Sequence, residues 1–403
     1  MKIIVSSSNI NQNISKVVGI FKRLNYLDSF WTTIFFPFKT KWLQNRYYKE
    51  IRFKFVKLIF FKEIMRRICV SLNLQKLFSQ DNSIFSSDSV SKNLDRKVAN
   101  YLLKKNNKID IVYSYEDCSK ESFKVAKQQK IKNIYDLTSP YWRFKKKILE
   151  EEIKLHPDWN LSSTEIMSNE KCMNKDEELN LSDKVIVASS FSAKSLKLFN
   201  SKKDLDIKII PYGIEVPPKK IINIRKTNES FKIFFAGRPT LSKGMQYLIQ
   251  SLMEIDFPWE IEIAGSIPEQ PDKISKKMDL FFRDKRCKFL GQIPNHQLLL
   301  RMKKSHVFLF PSLFEGFGQV LLESFSCGLP VITTYNTAGP DLIEDSKNGF
   351  LTPVRDIKKT TEILNKLYDN DEFRKSIADS AFSSLKKFSW ENYQSELSKT
   401  ISF

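Results

Sequence analysis

Residues 307–334, which read VFLFPSLFEGFGQVLLESFSCGLPVITT, decide the fold of this chain. The four apolar residues Val307 to Phe310 predict a buried strand, and a loop with two glycines follows it. The segment Gln319 to Cys327 predicts a helix that ends at the next glycine, and Pro330 to Thr334 predicts a second strand. A strand, a helix and a strand in this order indicate a parallel β-α-β unit.

The same alternation of short apolar runs and helical segments extends upstream. Phe231 to Ala236 and Trp259 to Ala264 predict strands, and a glycine follows each of them. Helices are predicted from Lys243 to Ile255 and from an N-terminal cap at Asn295. This alternation predicts a parallel sheet with helices on both faces, which binds ligands beyond the carboxyl ends of its strands. Because ten of the 11 glycines lie from Gly213 onward, the loops that a ligand would visit belong to this half.

The first half of the chain shows the same pattern less clearly. Strands are predicted at Lys2 to Val5, Asp110 to Tyr115, Ile134 to Leu137 and Lys184 to Ala188. A helix is predicted from about Lys120 to Lys130. A chain of 403 residues exceeds the usual size of one domain, so we expect a second α/β domain here.

The composition excludes several classes of protein. Hydrophobic residues make up 41% of the chain, which is too many for a disordered protein. Basic residues exceed acidic ones by 66 − 46, and the resulting charge of +20 attracts anionic partners. No nucleic-acid-binding motif accompanies this charge, so no nucleic-acid partner is expected. No apolar stretch approaches the roughly 18 residues that span a bilayer, and no signal-peptide core follows Met1.

The cysteines and histidines indicate neither a disulfide framework nor a metal site. The five cysteines are scattered without a CxxC pair, and the three histidines form no zinc pattern. Reduced, buried thiols are typical of a cytoplasmic protein. We therefore expect a cytoplasmic location and no bound metal.

The glycine loop of residues 311–318 carries the first candidate site. Free backbone N–H groups at a helix start, exposed through Gly316 and Gly318, form an anion site suited to a pyrophosphate. Glu315 and Glu323 would be about 12 Å apart in a continuous helix, too far to share a proton. We therefore expect them to accept hydrogen bonds from different hydroxyls of one long ligand. The structural alternative for each is a glutamate favoured by the helix dipole.

A second candidate loop, residues 237–244, reads GRPTLSKG and follows the strand predicted at 231–236. Arg238 and Lys243 flank this loop, and Ser242 is its expected helix N-cap. An arginine fork and a lysine point charge together suit a diphosphate. In a chain with 66 basic residues a single cation is usually solvated, but the position of this pair favours ligand binding.

Together these segments resemble the retaining glycosyltransferases of family 4, the glycosyl transferases group 1. The resemblance lies within residues 207–356, and its motifs follow the family's order. They are Pro211-Tyr212-Gly213, the 237–244 loop, Phe289-Leu290-Gly291, Pro311-Ser312 with Glu315-X7-Glu323, Gly328-Leu329-Pro330-Val331-Ile332 and Asn348-Gly349-Phe350.

The resemblance implies an α/β fold of the GT-B type, with two facing Rossmann-like domains that contain parallel sheets. Residues 1–205 would form an N-terminal acceptor-side domain, and residues 206–386 a C-terminal nucleotide-sugar-binding domain. Residues 387–403, which include Phe388-Ser389-Trp390-Glu391, would form a helix that returns to the N-terminal domain.

The resemblance also assigns roles at matching positions. Arg238 and Lys243 would hold the donor diphosphate and stabilise the departing nucleotide, and Glu315 would contact hydroxyls of the donor sugar. These three are the expected catalytic residues. The expected donor-binding residues are Glu323 at the ribose, Gly316, Phe317 and Gly318 through their N–H groups, Gly291 and Ile293 near the base, and Gly213.

The reaction that the resemblance implies is the transfer of a sugar from a nucleotide-diphosphate donor to a glycan or lipid-linked acceptor. Anomeric configuration would be retained, and neither a metal nor a cofactor would be needed, because Arg238 and Lys243 would neutralise the leaving group. No Asp-X-Asp metal motif is found near these residues.

The N-terminal half departs from the family pattern. The glycine-rich turn that often follows the first strand is replaced by Ser6-Ser7-Ser8-Asn9. The histidine that often follows a middle strand is missing from residues 135–143, where polar and aromatic residues could line an acceptor cleft. No acceptor-side catalytic residue is therefore assigned.

Residues 39–67 form a basic stretch with ten Lys or Arg against two Glu. Tyr47, Ile51, Phe55 and Ile59 recur every four residues, which predicts an amphipathic helix. Such a helix can rest on the surface of an anionic membrane, giving a peripheral inner-membrane location. The favoured alternative is a helix whose apolar stripe packs on the N-terminal sheet, because such stripes more often belong to a core.

Two classes of function remain open. The first is an active glycosyltransferase, which the presence of Arg238, Lys243, Glu315 and Glu323 together favours. The second is a non-catalytic GT-B protein that binds nucleotide sugars as an accessory subunit. A dehydrogenase is disfavoured because no GxGxxG follows the first strand.

Overall fold

Two parallel β-sheets, one in each half of the chain, organise the fold. The computed structural model describes residues 1–35, 51, 53–104, 108–159, 165, 167–200, 204–218, 229–266 and 276–402. The expected α/β class is confirmed, because every strand pairing within the two sheets is parallel and helices connect the strands. In these ranges, no helix combines the length and the apolar character that crossing a bilayer requires.

The first sheet has seven described strands in the order β3-β2-β1-β4-β5-β6-β7. Their bounds are β1 Ile3–Ser6, β2 Leu27–Thr32, β3 Val56–Leu58, β4 Ile111–Tyr115, β5 Lys132–Leu137, β6 Lys184–Val187 and β7 Ile207–Ile209. The helices of this half are α1 Gln12–Arg23, α2 Phe61–Ser71, α3 Ser87–Lys104, α4 Lys120–Gln128, α5 Trp142–Leu155, α6 Asn169–Leu181 and α7 Ser190–Ser195. The strand order reverses between β1 and β4, which is where open α/β sheets bind ligands.

The second sheet repeats this arrangement with six described strands in the order β10-β9-β8-β11-β12-β13. Their bounds are β8 Phe231–Ala236, β9 Trp259–Ala264, β10 Cys287–Gly291, β11 Val307–Phe310, β12 Val331–Thr334 and β13 Phe350–Thr352. The helices are α8 Met245–Met253, α9 Lys276–Arg283, α10 Asn295–Met302, α11 Gln319–Ser326, α12 Gly339–Leu342, α13 Ile357–Asp369, α14 Asp371–Ser384 and α15 Trp390–Thr400. The strand order of this sheet reverses between β8 and β11.

Two predicted helix caps are wrong. Helix α8 is capped by Gly244, which has a left-handed φ of 70°, and not by Ser242. Helix α10 is capped by Pro294, so Asn295 is its first residue and not its N-cap. In both cases the loop geometry, and not a side-chain oxygen, determines where the helix begins.

The predicted helix across residues 39–67 is also wrong where the structure describes it. Residues 39–50 and 52 lie outside the described residues. Phe53–Phe55 form a 3₁₀ turn, Val56–Leu58 form strand β3, and a helix begins only at Phe61. Ile51 is buried in the hydrophobic core. The four-residue spacing of apolar side chains in this stretch therefore occurs without a continuous helix.

The two halves are joined at both ends of the second one. Strand β7 pairs with β6, so the first sheet extends to Ile209, past the boundary expected at residue 205. The last helix, α15, packs back on the first half. Lys184 donates to the carbonyl of Thr400 at 2.5 Å, and Arg23 donates to the side chain of Gln394 at 2.9 Å.

Candidate active site

Two loops meet at the strand-order reversal of the second sheet, one after β8 and one after β11. The N–H of Leu313 donates to the carbonyl of Ser242 at 2.9 Å, which ties the loops together. A Cβ on Gly244 would lie 2.0 Å from the carbonyl oxygen of Pro311. Only glycine allows this approach, because its neighbour is rigid backbone and its φ is left-handed.

The approach of these loops brings together two of the predicted catalytic residues, Lys243 and Glu315. Their side chains form an ion pair through Nζ and Oε1, and both are partly buried. The hydroxyl of Ser312 lies 3.4 Å from the same carboxylate oxygen, and the N–H of Glu315 donates to the carbonyl of Asn336 at 2.8 Å. A carboxylate and an ammonium group are thus held side by side at the carboxyl edge of the sheet.

The third predicted catalytic residue, Arg238, follows β8 on the same edge. Its Nε donates to the hydroxyl of Ser266, which follows β9, over a long 3.4 Å contact. A Cβ on Gly265 would lie only 2.0 Å from the carbonyl oxygen of Gly237, so the ends of β8 and β9 are closely packed. Arg238 therefore extends from a compact strand terminus with a partly exposed guanidinium group.

The backbone N–H groups of residues 316–318 lie at the start of helix α11. Among the described residues, none accepts a hydrogen bond from the N–H of Gly316, Phe317 or Gly318. Gly318 caps the helix with a φ of 84°, so these groups lie at the positive end of the helix dipole. The ring of Phe317 is buried against Tyr212 at 5.3 Å, which leaves only the backbone of this residue for a ligand. This arrangement can bind an anion.

Glu323 lies further along α11, on a separate part of the same edge. It accepts a hydrogen bond from Asn295 Nδ2 at 2.7 Å. Burial raises the pKa of Glu323, and the bond from Asn295 partly opposes this. Gly291 ends β10 with a φ of 66°, a Cβ there would meet open space, and Ile293 is half-buried nearby in sequence. Glu315 and Glu323 therefore have different partners and do not form a carboxylate pair.

Gly213 is placed against the last helix and not at the ion pair. A Cβ on it would lie 2.7 Å from the backbone nitrogen of Trp390. Its carbonyl accepts a hydrogen bond from Gln319 Nε2 at 3.0 Å, which links the inter-sheet segment to the start of α11. The close packing against Trp390 explains why residue 213 is a glycine. Contact between Gly213 and the donor stays a prediction.

The first half holds the glycine loop from the opposite side. The carbonyl of Gly316 accepts hydrogen bonds from the hydroxyls of Ser189 at 2.6 Å and Ser192 at 3.0 Å. A Cβ on Gly316 would lie 1.9 Å from the carbonyl oxygen of Thr138. The loop that presents Glu315 is thus positioned by residues of both halves.

A buried carboxylate also joins the halves, at Glu152 on α5. It is fully buried and accepts hydrogen bonds from Gln246 Nε2 at 2.9 Å and from the Tyr247 hydroxyl at 2.8 Å. Arg355 Nε pairs with its other oxygen at 2.5 Å. Because these three partners belong to the second half, the closed arrangement of the two halves satisfies a charge that burial would otherwise disfavour.

A cavity of about 250 Å³ lies at the strand-order reversal of the first sheet. Ser7 and Ser8 after β1, Tyr115 and Glu116 at the end of β4, and Thr138 after β5 line it. Since the carbonyl of Thr138 contacts Gly316, the cavity adjoins the glycine loop. Hydroxyl and carboxylate groups in its wall suit a ligand that is rich in hydroxyls.

Beside this cavity, Lys175 on α6 is buried between two carboxylates. Its Nζ lies 2.6 Å from Glu116 Oε1 and 2.6 Å from Asp117 Oδ1. Burial would raise the pKa of Asp117, but Lys175 and Lys171 lower it to about 2. Burial opposes the charge on Lys175 as well, yet Asp117 and Glu116 raise its pKa above the usual value. The wall of the cavity is therefore an internally neutralised network.

The sequence analysis did not assign several of these residues. Ser7 and Ser8 stood out only as a departure from a glycine-rich turn, although they line the cavity. Glu116 directly follows a buried strand, and that position could have identified it. Glu152 and Ser192 gave no sequence signal, because their partners lie in the other half. In the described part of the chain, no group of three or more His, Cys, Asp or Glu side chains is arranged to hold a metal.

Two Rossmann-type parallel sheets in contact with each other, with candidate sites at both strand-order reversals, are features of the GT-B architecture. Residues 218–383 match the family described as glycosyl transferases group 1. A capsular polysaccharide biosynthesis glycosyltransferase of Staphylococcus aureus, CapM, is 30% identical over 183 residues, covering 42% of this chain and 46% of that protein. The alignments with the first curated relatives span less than half of the length of those relatives.

Solved structures match over nearly the whole chain. Sucrose-phosphate synthase from Thermosynechococcus elongatus has a TM-score of 0.69 at 16% identity, covering 99% of this chain and 98% of that one. HepE from Anabaena in complex with UDP-glucose has a TM-score of 0.66 at 17% identity, covering 100% of this chain and 99% of that one. At such identities the similarity establishes the GT-B fold.

Proposed function

We propose that this protein is a glycosyltransferase that takes a sugar from a nucleotide-diphosphate donor. The observation that carries the proposal is the Lys243–Glu315 ion pair beside the free N–H groups of Gly316 to Gly318. An ammonium group and helix N–H groups suit the diphosphate, and a carboxylate suits sugar hydroxyls. The match of residues 218–383 to glycosyl transferases group 1 supports the same donor.

Donor binding would rearrange this ion pair. Lys243 and Arg238 would turn to the diphosphate, and the Glu315 carboxylate would then accept hydrogen bonds from hydroxyls of the sugar. As the bond between the anomeric carbon and the diphosphate oxygen breaks, the two cations and the N–H groups would stabilise the negative charge on the departing nucleotide. These cations support a reaction without a metal.

We further propose that the reaction retains anomeric configuration, as the resemblance to family 4 implies. The acceptor hydroxyl would attack the anomeric carbon from the face that the diphosphate leaves. Its proton would pass to the departing phosphate oxygen, so that atoms and charge balance. The transferred sugar would be a hexose, as the resemblance to family 4 implies.

The acceptor side of the proposal rests on the cavity in the first half. Its serine and threonine hydroxyls can donate to and accept from sugar hydroxyls, and the Glu116 carboxylate can accept from them. Because the cavity adjoins Gly316, a hydroxyl held there would lie near the donor sugar. The acceptor is therefore a glycan or the sugar head of a lipid-linked glycan. The name of CapM, a capsular polysaccharide glycosyltransferase, favours polysaccharide biosynthesis.

A donor screen tests this function. Thermal unfolding is followed with UDP-, GDP- and ADP-sugars in turn, and release of nucleotide is then measured with the sugar that binds. A rise in melting temperature with one donor, together with nucleotide release, is expected. Binding without release in the presence of glycan acceptors would instead favour the non-catalytic accessory protein. The absence of any shift would contradict donor binding altogether.

The cellular location that fits this function is the cytoplasm. All five cysteines are free and buried, as in proteins of a reducing compartment. A cytoplasmic enzyme also has direct access to nucleotide sugars. Contact with a membrane would explain how it reaches a lipid-linked acceptor.

A further inference from the structure

Helix α2 turns an apolar stripe toward solvent. Phe61, Ile64 and Ile68 follow one another at helical spacing and are 68%, 46% and 42% exposed. Leu72, one turn further on, is 62% exposed. A helix on the surface of a globular protein normally buries such a stripe. The orientation of α2 is therefore the reverse of the usual one.

The polar side chains of α2 are paired within the helix or with the neighbouring helix α3. On its buried side, Glu63 accepts hydrogen bonds from Arg66 Nε at 2.6 Å and Arg67 Nε at 2.8 Å, both on α2 itself. Lys62 donates to the hydroxyl of Ser89 on α3 at 2.6 Å. Only the contact between Lys62 and Ser89 joins these charged groups to another helix, and the apolar stripe stays outside.

The exposed apolar surface extends beyond the helix itself. We call it the α2 face, and it consists of Phe53, Phe60, Phe61, Ile64, Ile68, Leu72 and Leu74, each at least 42% exposed. Seven large apolar side chains within a short segment exceed the scattered exposure that monomeric proteins show. Such a surface indicates a binding partner.

The charges around the α2 face identify the partner. Lys54, Lys57 and Lys76 are exposed within the same segment. The two acidic residues of 53–84 are turned inward: Glu63 is buried, and Asp81 accepts from the N–H of Ser168 at 2.8 Å. The segment therefore presents apolar and cationic groups together, without an exposed carboxylate among its described residues.

We propose that the α2 face docks on the surface of an anionic lipid bilayer. Apolar side chains of an interfacial helix enter the boundary between headgroups and acyl chains, and lysines contact anionic headgroups. A protein partner fits less well, because lysine is depleted from protein–protein interfaces. The inference uses only this surface, so it holds whether or not the protein transfers sugars.

Docking in this way would place the cavity one helix away from the bilayer. Ser87 and Ser91 on α3 line the cavity, whereas Ser89, which Lys62 of α2 contacts, lies on the opposite face of α3. Asp81 lies 3.7 Å from Lys171, another residue of the cavity wall. The α2 face and the cavity therefore belong to neighbouring parts of the first half.

Vesicle flotation without any donor tests the inference. The full chain is mixed with vesicles of phosphatidylcholine alone or of phosphatidylcholine with phosphatidylglycerol. We expect binding to the anionic vesicles that weakens as salt is added. The double variant Phe61→Ser with Ile68→Ser should bind at least about tenfold more weakly, since interfacial binding scales with the apolar area buried.

A matched control comes from the second half of the chain. Leu280 and Leu300 are 68% and 55% exposed, and the variant Leu280→Ser with Leu300→Ser should bind as the unmodified protein does. A second test variant changes Lys54, Lys57 and Lys76 to Gln. It should bind about a hundredfold more weakly, because each basic residue near an anionic surface raises the membrane-binding constant by about a factor of five.

Three results would overturn the inference. The first is no binding of the unmodified chain to anionic vesicles. The second is equal binding by the α2-face variants and the control variant. The third is a dimer in analytical ultracentrifugation that Phe61→Ser with Ile68→Ser converts to a monomer, without vesicle binding, which would assign the α2 face to a second copy of this chain.

Discussion

The two halves of the molecule share one strand order but use charge differently. Among the described residues, the first half buries eight charged side chains: Glu63, Asp88, Asp95, Asp136, Glu152, Lys175, Glu178 and Lys184. The second half buries Arg374, and its candidate site residues Arg238, Lys243, Glu315 and Glu323 stay partly exposed. The first half holds buried ionisable groups by ion pairs or hydrogen bonds, whereas the partly exposed charges of the second half remain accessible to a ligand.

The largest expected effect separates activity from stability in the second half. Glu315→Ala should abolish sugar transfer, and Lys243→Ala should lower kcat by about 10²–10³-fold, because charge stabilisation of the leaving group is lost. Both variants should keep nearly the melting temperature of the unmodified protein. Nucleotide release and thermal unfolding are measured on the same samples.

The control for these variants is the exposed ion pair between Lys347 and Glu344, with an N···O distance of 2.9 Å. Lys347→Ala should leave both turnover and stability unchanged, since exposed pairs contribute little. Unchanged turnover in Glu315→Ala and Lys243→Ala would contradict the assignment of the donor site.

The opposite outcome is expected for a charge in the first half. Lys175→Met should lower the free energy of unfolding by about 3–5 kcal/mol, because it leaves the carboxylates of Glu116 and Asp117 without their buried partner. Urea unfolding at neutral pH measures this loss. Lys347→Met is the matched control, with an expected change of less than about 1 kcal/mol. A small loss in both variants would show that buried charge in the first half is not structural.

The sequence was sufficient for three strands of the second sheet, because Phe231–Ala236, Trp259–Ala264 and Val307–Phe310 have the predicted bounds. Val307–Phe310 is an uninterrupted apolar run, whereas Glu260 and Glu262 alternate with apolar residues in Trp259–Ala264. The Lys243–Glu315 contact was not predicted, because it depends on the approach of Gly244 to Pro311. The local sequence pattern predicted the loops at 237–244 and 311–318 but not the contact between them.

The first half was harder to predict, for a physical reason. Its site is a cavity lined by serines such as Ser7 and Ser8, which resemble ordinary turn residues in a sequence. Its stability depends on long-range pairs such as Lys175 with Glu116, which no local period encodes. The apolar residues of 39–67 led to a wrong helix prediction. A buried residue before a short strand, here Ile51 and β3, can produce the same four-residue spacing as a helix.

A smaller effect tests how the first half positions the glycine loop of the second. Gly316→Ala would place a methyl group 1.9 Å from the carbonyl oxygen of Thr138, and backbone on both sides cannot yield. The halves must separate locally, and we expect kcat/KM to fall about a hundredfold, since small misplacements of reacting groups can cost this much. Steady-state kinetics measures the change.

Gly349→Ala provides the steric control for this substitution. The nearest atoms to a Cβ there would be two of the Ile343 side chain at 3.1 Å and 3.2 Å and the carbonyl oxygen of Val331 at 3.3 Å, all within the second half. Activity near that of the unmodified protein is expected. Equal losses of kcat/KM in Gly316→Ala and Gly349→Ala would mean that packing within the second half, and not contact with the first half, determines the position of the glycine loop.

The smallest expected effect is a pH dependence that belongs to the first half. Asp136 on β5 is fully buried and accepts a hydrogen bond from the Tyr113 hydroxyl at 2.5 Å. Burial raises its pKa to about 7, although the bond from Tyr113 opposes this. Because the folded protein holds this proton more tightly than the unfolded chain, the stability it contributes is present at low pH and is lost as pH rises through 7.

The variant Asp136→Asn isolates this contribution, because an amide stays neutral and can still accept from Tyr113. Between pH 6 and pH 8 the unmodified protein should lose about 1.4 kcal/mol relative to the variant, the equivalent of one pKa unit. Urea unfolding of both proteins at each pH measures the difference, and other titrating groups cancel. Asp279→Asn, at an exposed carboxylate on α9, is the control variant. A constant difference between Asp136→Asn and the unmodified protein would mean that this buried carboxyl is already ionised at pH 6, and that the first half tolerates a charge with only hydroxyl partners.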